Sequence, residues 1–470
     1  MTLMQLQKIY DFCQKSSSQA CVLCDLSATD CCMTNLGKSP LFLVFLLLIL
    51  VTPFSLAQEN PVTDKMSDEE YPSFTDAWGE LEPGGGGWLI GRTPMGEMRL
   101  SSYILTRYLN QLPAYQSYTD HLGREHEIDT RNDFQVHRLM VFLKGWIYDP
   151  KFRYNILFWT VNSTTQVAIV ASFTYDFSKH FILGAGTTGL PGVRTLNNQH
   201  PYFLGNDRQM ADEFFKPSFT TGVWAMGEMT PRSRYRVMIG DNLSQIGIDA
   251  KENDRDMAAG LTMWWMPTTG EFGPRGGYGD YEDHQEQATR VGFSTVHSRE
   301  DRYSALTQAI PDNTQIRLSD SLNLFEANAL AEGVTVQKAN YDVFAVDAGY
   351  KYQGYFANIE FFMRHLSQFV TAGGDIPMSV INDRGLSLQS SYMLKPKKTE
   401  LIGAWSYIDG QFNSSWELMA GVNHYPFKTR DFKLNAMIFD VHRSPVSSLF
   451  GYYVGGQTGQ TIALSMDVFF

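Results

Sequence analysis

The stretch Gln460-Thr461-Ile462-Ala463-Leu464-Ser465-Met466-Asp467-Val468-Phe469-Phe470 decides how the rest of the chain is read. Ile462, Leu464, Met466, Val468 and Phe470 are apolar at every second position, with Ala463, Ser465 and Asp467 between them. A period of two is that of a strand with one oily face and one smaller, wetter face. A tilted strand of about ten residues is also long enough to cross a bilayer as one stave of a barrel. The same pattern suits a half-buried strand closing a water-soluble sandwich, so the remaining sequence has to separate the two.

The front of the chain is unlike everything after it. Leu41 to Phe54 reads LFLVFLLLILVTPF, preceded by Lys38 and followed by Ser55-Leu56-Ala57 and Gln58. That run falls short of the ~20 apolar residues of a spanning helix and suits a signal-peptide core, with cleavage expected after Ala57; a retained inner-membrane anchor is the rival. All five cysteines, Cys13, Cys21, Cys24, Cys31 and Cys32, lie in 1–32. The Cys21–Cys24 pair has no second pair or histidine cluster at metal-finger spacing. Met33 stands at an ordinary distance before the apolar run, so 1–32 reads as an over-extended start and 1–57 as the signal segment. From 58 onward there is no cysteine, and disulfides play no part in that region.

From 58 to 96 the chain is acidic and turn-rich, with Asp64, Asp68, Glu69, Glu70, Asp76, Glu80 and Glu82 leading to Gly84–Gly87. Clustered acids without apolar periodicity predict a solvated, flexible periplasmic lead-in, which supplies much of the net charge of −12. No second apolar run reaches spanning-helix length, so any structure crossing a membrane has to be a closed barrel. The mean hydropathy of −0.23 agrees, because alternate barrel residues face water. A soluble all-β protein would average the same.

From 97 to 470 strand-like runs alternate between long and short gaps. Tight turns are read at 149–151, 230–232, 351–354, 395–397 and 426–428, and long connections at 111–132, 188–217, 241–255 and 297–339. The count is about sixteen, which predicts an all-β, transmembrane antiparallel β-barrel. Tyr235, Val237 and Ile239 oppose Arg232, Arg234 and Arg236, while Phe344, Val346, Ala348 and Tyr350 oppose Asp347 and Lys351. A cation on the lipid face near midplane costs about 2–4 kcal/mol, so these charges are expected inside. The inward basic set is then Arg99, Arg107, Arg138, Lys144, Arg153, Arg232, Arg234, Arg236, Arg290, Lys351, Arg364 and Lys433, against fewer acids, Glu228, Asp347, Glu360 and Glu417. A net positive wall favours small anions. The alternative is that these cations pair with acids and brace the wall.

The terminal strand ending in Phe470 resembles the last strand of bacterial outer-membrane barrels, which implies that Phe470 acts as the signal to the barrel-assembly machinery. Leu183 to Gly227, with Gly184-Ala185-Gly186, Leu190-Pro191-Gly192, Asn206-Asp207-Arg208, Phe214-Phe215-Lys216-Pro217 and Thr221-Gly222-Val223, is similar to the long-loop region of the phosphate-selective porin O and P family. Asp280-Tyr281-Glu282, Gly333-Val334-Thr335-Val336 and Asp347-Ala348-Gly349-Tyr350-Lys351-Tyr352 also resemble that family. The resemblance implies a sixteen-stranded homotrimeric porin among outer-membrane lipids, its long loop folded inward, with Arg194, Arg208 and Lys216 at the constriction. Thr187, Thr188 and Leu190-Pro191-Gly192 stand where family members often carry Lys before Pro-Phe-Gly, which detaches phosphate specificity from the barrel reading.

Enzyme signatures are missing: there is no GxSxG elbow, no HExxH, and no GK[ST] after the glycine run. Asp280, Glu282 and Asp283 lack calcium-loop spacing. No enzyme activity, cofactor, metal or nucleic-acid partner is expected. A surface-binding barrel with a plugged lumen is the rival function, left open by the insertion at 297–339. The chain is too short for a plug domain plus the twenty-two strands of the larger outer-membrane transporters.

Overall fold

The computed structural model describes residues 87–160, 167–197, 202–243, 255–302, 316–447 and 451–470. The expected signal segment, the cysteines and most of the acidic lead-in lie outside the described residues. Nineteen strands are formed among the described residues. In the first half they are β1 (Trp88–Thr93), β2 (Gly96–Gln111), β3 (Tyr115–Thr119), β4 (Glu125–Asp129), β5 (Asn132–Ile147), β6 (Asp149–Thr160), β7 (Val167–Ser178), β8 (Phe181–Gly189), β9 (Phe219–Thr230) and β10 (Ser233–Asp241). They continue as β11 (Met257–Trp265), β12 (Ala288–Asp301), β13 (Thr335–Tyr352), β14 (Tyr355–Ala372), β15 (Val380–Lys395), β16 (Thr399–Asp409), β17 (Ser414–His424), β18 (Phe432–His442) and β19 (Gly459–Phe469).

Sixteen of them, β2 and β5 to β19, make a closed antiparallel barrel. β19 returns to pair with β2, Thr461 opposite Gln111 and Phe469 opposite Tyr103, so no edge is left open. The strand-like runs of the sequence all appear here, most extended by a few residues. β3 and β4 form a small separate hairpin in the first long connection.

The terminal stretch does more than close the ring. β1 pairs with β2 from Gly96 to Leu100, and β19 pairs with the same edge of β2 from Tyr103 to Gln111. The two strands run in line and meet end to end, with Phe470 exchanging backbone hydrogen bonds with Ser102 at 2.7 and 3.1 Å and its ring 5.4 Å from that of Trp88. Part of the segment expected to be a flexible lead-in is therefore a strand. Its apolar Trp88, Leu89 and Ile90 find a ready edge there.

Alternation sets the two faces. Ile462, Leu464 and Phe470 are exposed on the outside of β19, while Ala463, Asp467 and Phe469 are buried inside. The outer surface carries Ile359, Phe361, Met363, Leu388, Leu418 and Ile438, an apolar band that would be unstable against water. Tyr148, Trp265, Tyr355, Tyr392, Phe427 and Phe470 are exposed near the short-turn end, the arrangement of an interfacial aromatic girdle. Among the described residues no helix is long and apolar enough to cross a membrane, which says nothing of a β-barrel.

The two rims differ. The longer connections, described at 112–131, 190–197, 202–218, 316–334, 443–447 and 451–458, follow strands that end at one rim, and tight turns such as 231–232 and 353–354 mark the other. One exception stands at the short-turn end, where residues 266–287 join β11 to β12. The sequence reads it as a plain glycine-rich, acidic connection. Instead Phe272, Tyr278 and Asp280 of this segment are buried.

Candidate functional site

The lumen is where charge is concentrated, and segments from both rims fill it. Residues 190–197 and 202–218 fold inward, and the latter carry a short helix, α1 (Met210–Phe215), that contacts β14, β15 and β16 on the opposite wall. Leu190, Val193, Leu196, Met210, Ala211 and Phe215 of this segment are buried and share one apolar cluster with inward residues such as Met238, Phe362, Met437 and Phe439. Phe215 stacks on Phe362 with ring centroids 5.2 Å apart. Small inward residues make room: a Cβ on Gly385 would lie 2.2 Å from the Phe215 ring.

Wall charges fasten this segment. Asp207 receives Arg107 at 3.2 Å, Arg138 at 3.0 Å and His137 at 3.4 Å. Burial opposes its ionisation, but Arg138, His137 and Arg107 together hold the carboxyl well below the usual range. On the far wall, the Glu417 carboxylate accepts from the Met210 backbone at 2.6 Å, Glu360 accepts from Arg194 N at 2.9 Å, and Tyr341 donates to the Phe215 carbonyl at 2.9 Å. Lys433 donates to the Gly205 carbonyl at 2.6 Å and pairs with Asp467 at 3.3 Å. The backbone groups of an irregular buried segment have to be satisfied somewhere, and the wall satisfies them.

The other basic residues fall into the same pattern. Arg364 pairs with Asp383 at 2.7 Å and lies 4.0 Å from the Phe214 ring. Arg290 pairs with Asp347 at 3.3 Å below Trp264. Arg234 meets Glu228 at 2.8 Å, Arg153 meets Asp176, and Arg99 meets Glu97 at the short-turn rim. Arg236 donates to Thr188 at 2.8 Å beside Trp224, and Lys144 is buried on the inner face of β5. Lys351, fully buried, has its Nζ 4.9 Å from the Phe272 ring and 3.8 Å from Glu282. In the inserted segment Arg208 lies 3.6 Å from Asp212 and Lys216 lies 3.4 Å from Glu213. Burial pushes the Asp212 carboxyl up to about 6.

One assignment is corrected. Arg232 is in the exposed turn between β9 and β10 and donates to the Pro267 carbonyl at 2.6 Å, because the strand begins only at Ser233. The acids were also undercounted. Asp176, Asp383, Glu400 and Asp467 face inward as well, so the wall is close to balanced and its cations are braced by carboxylates and by ring faces. Alternation reveals the facing of such residues but gives no hint of partners more than a hundred positions away.

No protein-family profile matches the chain, and no curated protein does. Solved structures do show likeness. OmpT of Vibrio cholerae superposes with a TM-score of 0.47 at 10% identity, covering 82% of this chain and 100% of that one. The anion-selective porin from Comamonas acidovorans gives 0.46 at 9%, over 80% and 100%. The outer-membrane channel DcaP of Acinetobacter baumannii gives 0.41 at 10%, over 82% and 100%. Likeness at this level leaves the functional reading to the chain's own residues.

Asp280, Glu282 and His284 bring ligand atoms within 4.8 Å of one another. Each of the three already has partners within the protein. Asp280 accepts from Gly354 N at 2.8 Å and from the His284 ring, and Glu282 accepts from Arg430 at 3.1 Å, so their charges already face cations of the protein. A small cavity of about 20 Å³ remains between 204–209 and the inner faces of β15 to β18, with Gln209, Gln389 and Asp207 among apolar side chains.

Proposed function

We propose that this chain is an outer-membrane porin that passes small solutes by diffusion, with a preference for anions. The observation that carries the porin reading is the closed sixteen-strand barrel with an apolar outer band and charged side chains of both signs facing inward. An apolar exterior belongs in lipid, and a polar interior in such a cylinder serves passage rather than folding alone. The resemblance of 183–227 to the phosphate-selective porin O and P family supplies the anionic class and a homotrimeric assembly. The missing Lys and Phe of that family's loop motif argue for general anion preference over phosphate selectivity. Export across the inner membrane by the segment before Ala57, and insertion through the Phe470 strand, complete this reading.

The test is a planar bilayer in a salt gradient. The reversal potential should report anion preference, repeated in chloride, phosphate and pyrophosphate, and R234Q with R236Q should weaken it. A cation-preferring channel would keep the porin and reject the charge assignment.

A plugged, surface-binding barrel is the second reading. It is favoured by the filling of the described lumen, since Arg194, Lys351 and the apolar cluster around α1 are closed off from solvent. Folded protein that never conducts would select it.

A further inference from the structure

The connection 266–287 leaves the short-turn rim, enters the barrel and meets the segment inserted from the other rim. Its inner arc is held by aromatic packing: the Tyr278 ring is edge-on to Phe356 at 5.8 Å, and Phe272 lies 6.4 Å from the same ring. Arg194, which belongs to 190–218, donates through Nη2 to the Gly276 carbonyl at 3.0 Å and lies 4.6 Å from the Tyr278 ring. Segments from opposite ends of the barrel thus touch at one fully buried guanidinium.

The outer arc is fastened differently. His284 bridges Asp280 and Glu271, the latter at 2.7 Å, and Arg430 reaches both Glu282 at 3.1 Å and the Tyr278 carbonyl at 3.2 Å. Of these fasteners Glu271 is more than half exposed and within reach of salt and solvent, while Asp280 and His284 are covered. Backbone bonds to the barrel lie at the two ends of the segment, Met266 N to the Arg232 carbonyl at 2.7 Å and Gln353 N to the His284 carbonyl at 2.8 Å. Between them stands one 3-10 turn (Arg275–Gly277), and Gly270 and Gly279, with φ of 81° and 67°, flank the inserted arc. Left-handed backbone at these two positions lets the chain reverse into the barrel and out again. Residues 190–218, by contrast, are pinned at many points along their length.

We propose that 266–287 is a gate, closed in this structure, that pivots about Met266 and His284 when its rim charge pairs loosen. Withdrawal takes Phe272 off Lys351 and Gly276 and Tyr278 off Arg194, and leaves both cations facing an open path from the short-turn end. The proposal rests on the porin reading and gives it a route for anions that the closed state lacks. Backbone hydrogen bonds tie the gate to the barrel at its two ends, and side-chain pairs and ring contacts hold what lies between, so these contacts have to break together for it to open.

The experiment uses the full chain in planar bilayers, with heat-modifiable gel migration as the check on folding. Wild type is expected to stay mostly closed, with brief openings. Replacing 272–278 by Gly and Ser of equal length should raise open probability several-fold, as should R194Q or the pair E282Q and R430Q to a smaller degree. Should the loop replacement fail to fold, the point variants decide. Wild type and folded variants conducting alike would overturn the gate while leaving the channel in place. Folded protein silent in every form, the loop replacement included, would overturn the channel and the gate with it.

Discussion

His284 is a single side chain on which the rim fastening can be read by titration. Its hydrogen bond to Asp280 first, and that to Glu271 second, raise its pKa to about 9 from 6.5. The folded value is above the unfolded one, so its contribution is fully present below pH 6.5 and is lost as pH rises through about 9. Hydrogen exchange in 266–287 should therefore speed up as pH passes 9, beyond the intrinsic rise seen in neighbouring strands, and H284A should remove the step. Lys351, Arg430, Asp280, Glu282 and Glu271 lie around the ring; the His284 hydrogen bond holds the Glu271 carboxyl below its usual range, and against burial it does the same for Asp280. Arg364 and Asp383 make a different case, a pair buried in the wall with almost no exposure on either side. Removing one partner strands the other in a dry site, at about 3–5 kcal/mol. D383N should lower the urea midpoint of vesicle-reconstituted protein accordingly, while an Arg364→Met, Asp383→Leu double variant should recover most of the loss.

At the scale of the element, the seam between β1 and β19 carries the most weight. Phe470 is bonded to Ser102 and packed on Trp88, so its deletion removes both a backbone pair and a ring contact where the cylinder closes. Slower assembly into lipid vesicles, followed by the folded-band intensity on unheated gels, is the expected result, and W88A should share part of it. Leu464 on the outward face of the same strand is nearly half exposed. L464R there should cost about 2–4 kcal/mol in a bilayer, read as a lower unfolding midpoint. The strands themselves were legible in the chain because a period of two is local information. The hairpin of β3 and β4 was not, since Tyr-Gln-Ser-Tyr-Thr and Glu-His-Glu-Ile-Asp have no apolar face to betray them. β1 was hidden by the acidic residues before it, and its strand state depends on the free edge of β2.

For the whole molecule, the question is what an inward charge does once the lumen is occupied. The inward basic residues were legible from alternation, and the loop cations Arg194, Arg208 and Lys216 from the family resemblance. Their partners were not. Asp207 lies 100 positions from Arg107, and only the entry of its segment into the barrel puts those two together, whereas Asp383 stands directly opposite Arg364 across β14 and β15. A channel of this kind has its selectivity set by the charges that stay wet, so the anion preference should grow when the rim pairs are neutralised and the gate is out. Reversal potentials of the loop-replaced protein against wild type would show it.

The sequence by itself determined the approximate number of staves and which residues alternate between the two faces of each, while the family resemblance implied that the long segment after the fifth stave folds back. The first two follow from neighbours two positions apart and from the spacing between runs. Tertiary structure alone decided that a second segment, 266–287, enters from the other rim, and that cations read as an open anion path are held by acids, carbonyls and rings. Those outcomes depend on distances across a closed cylinder, which no linear pattern records.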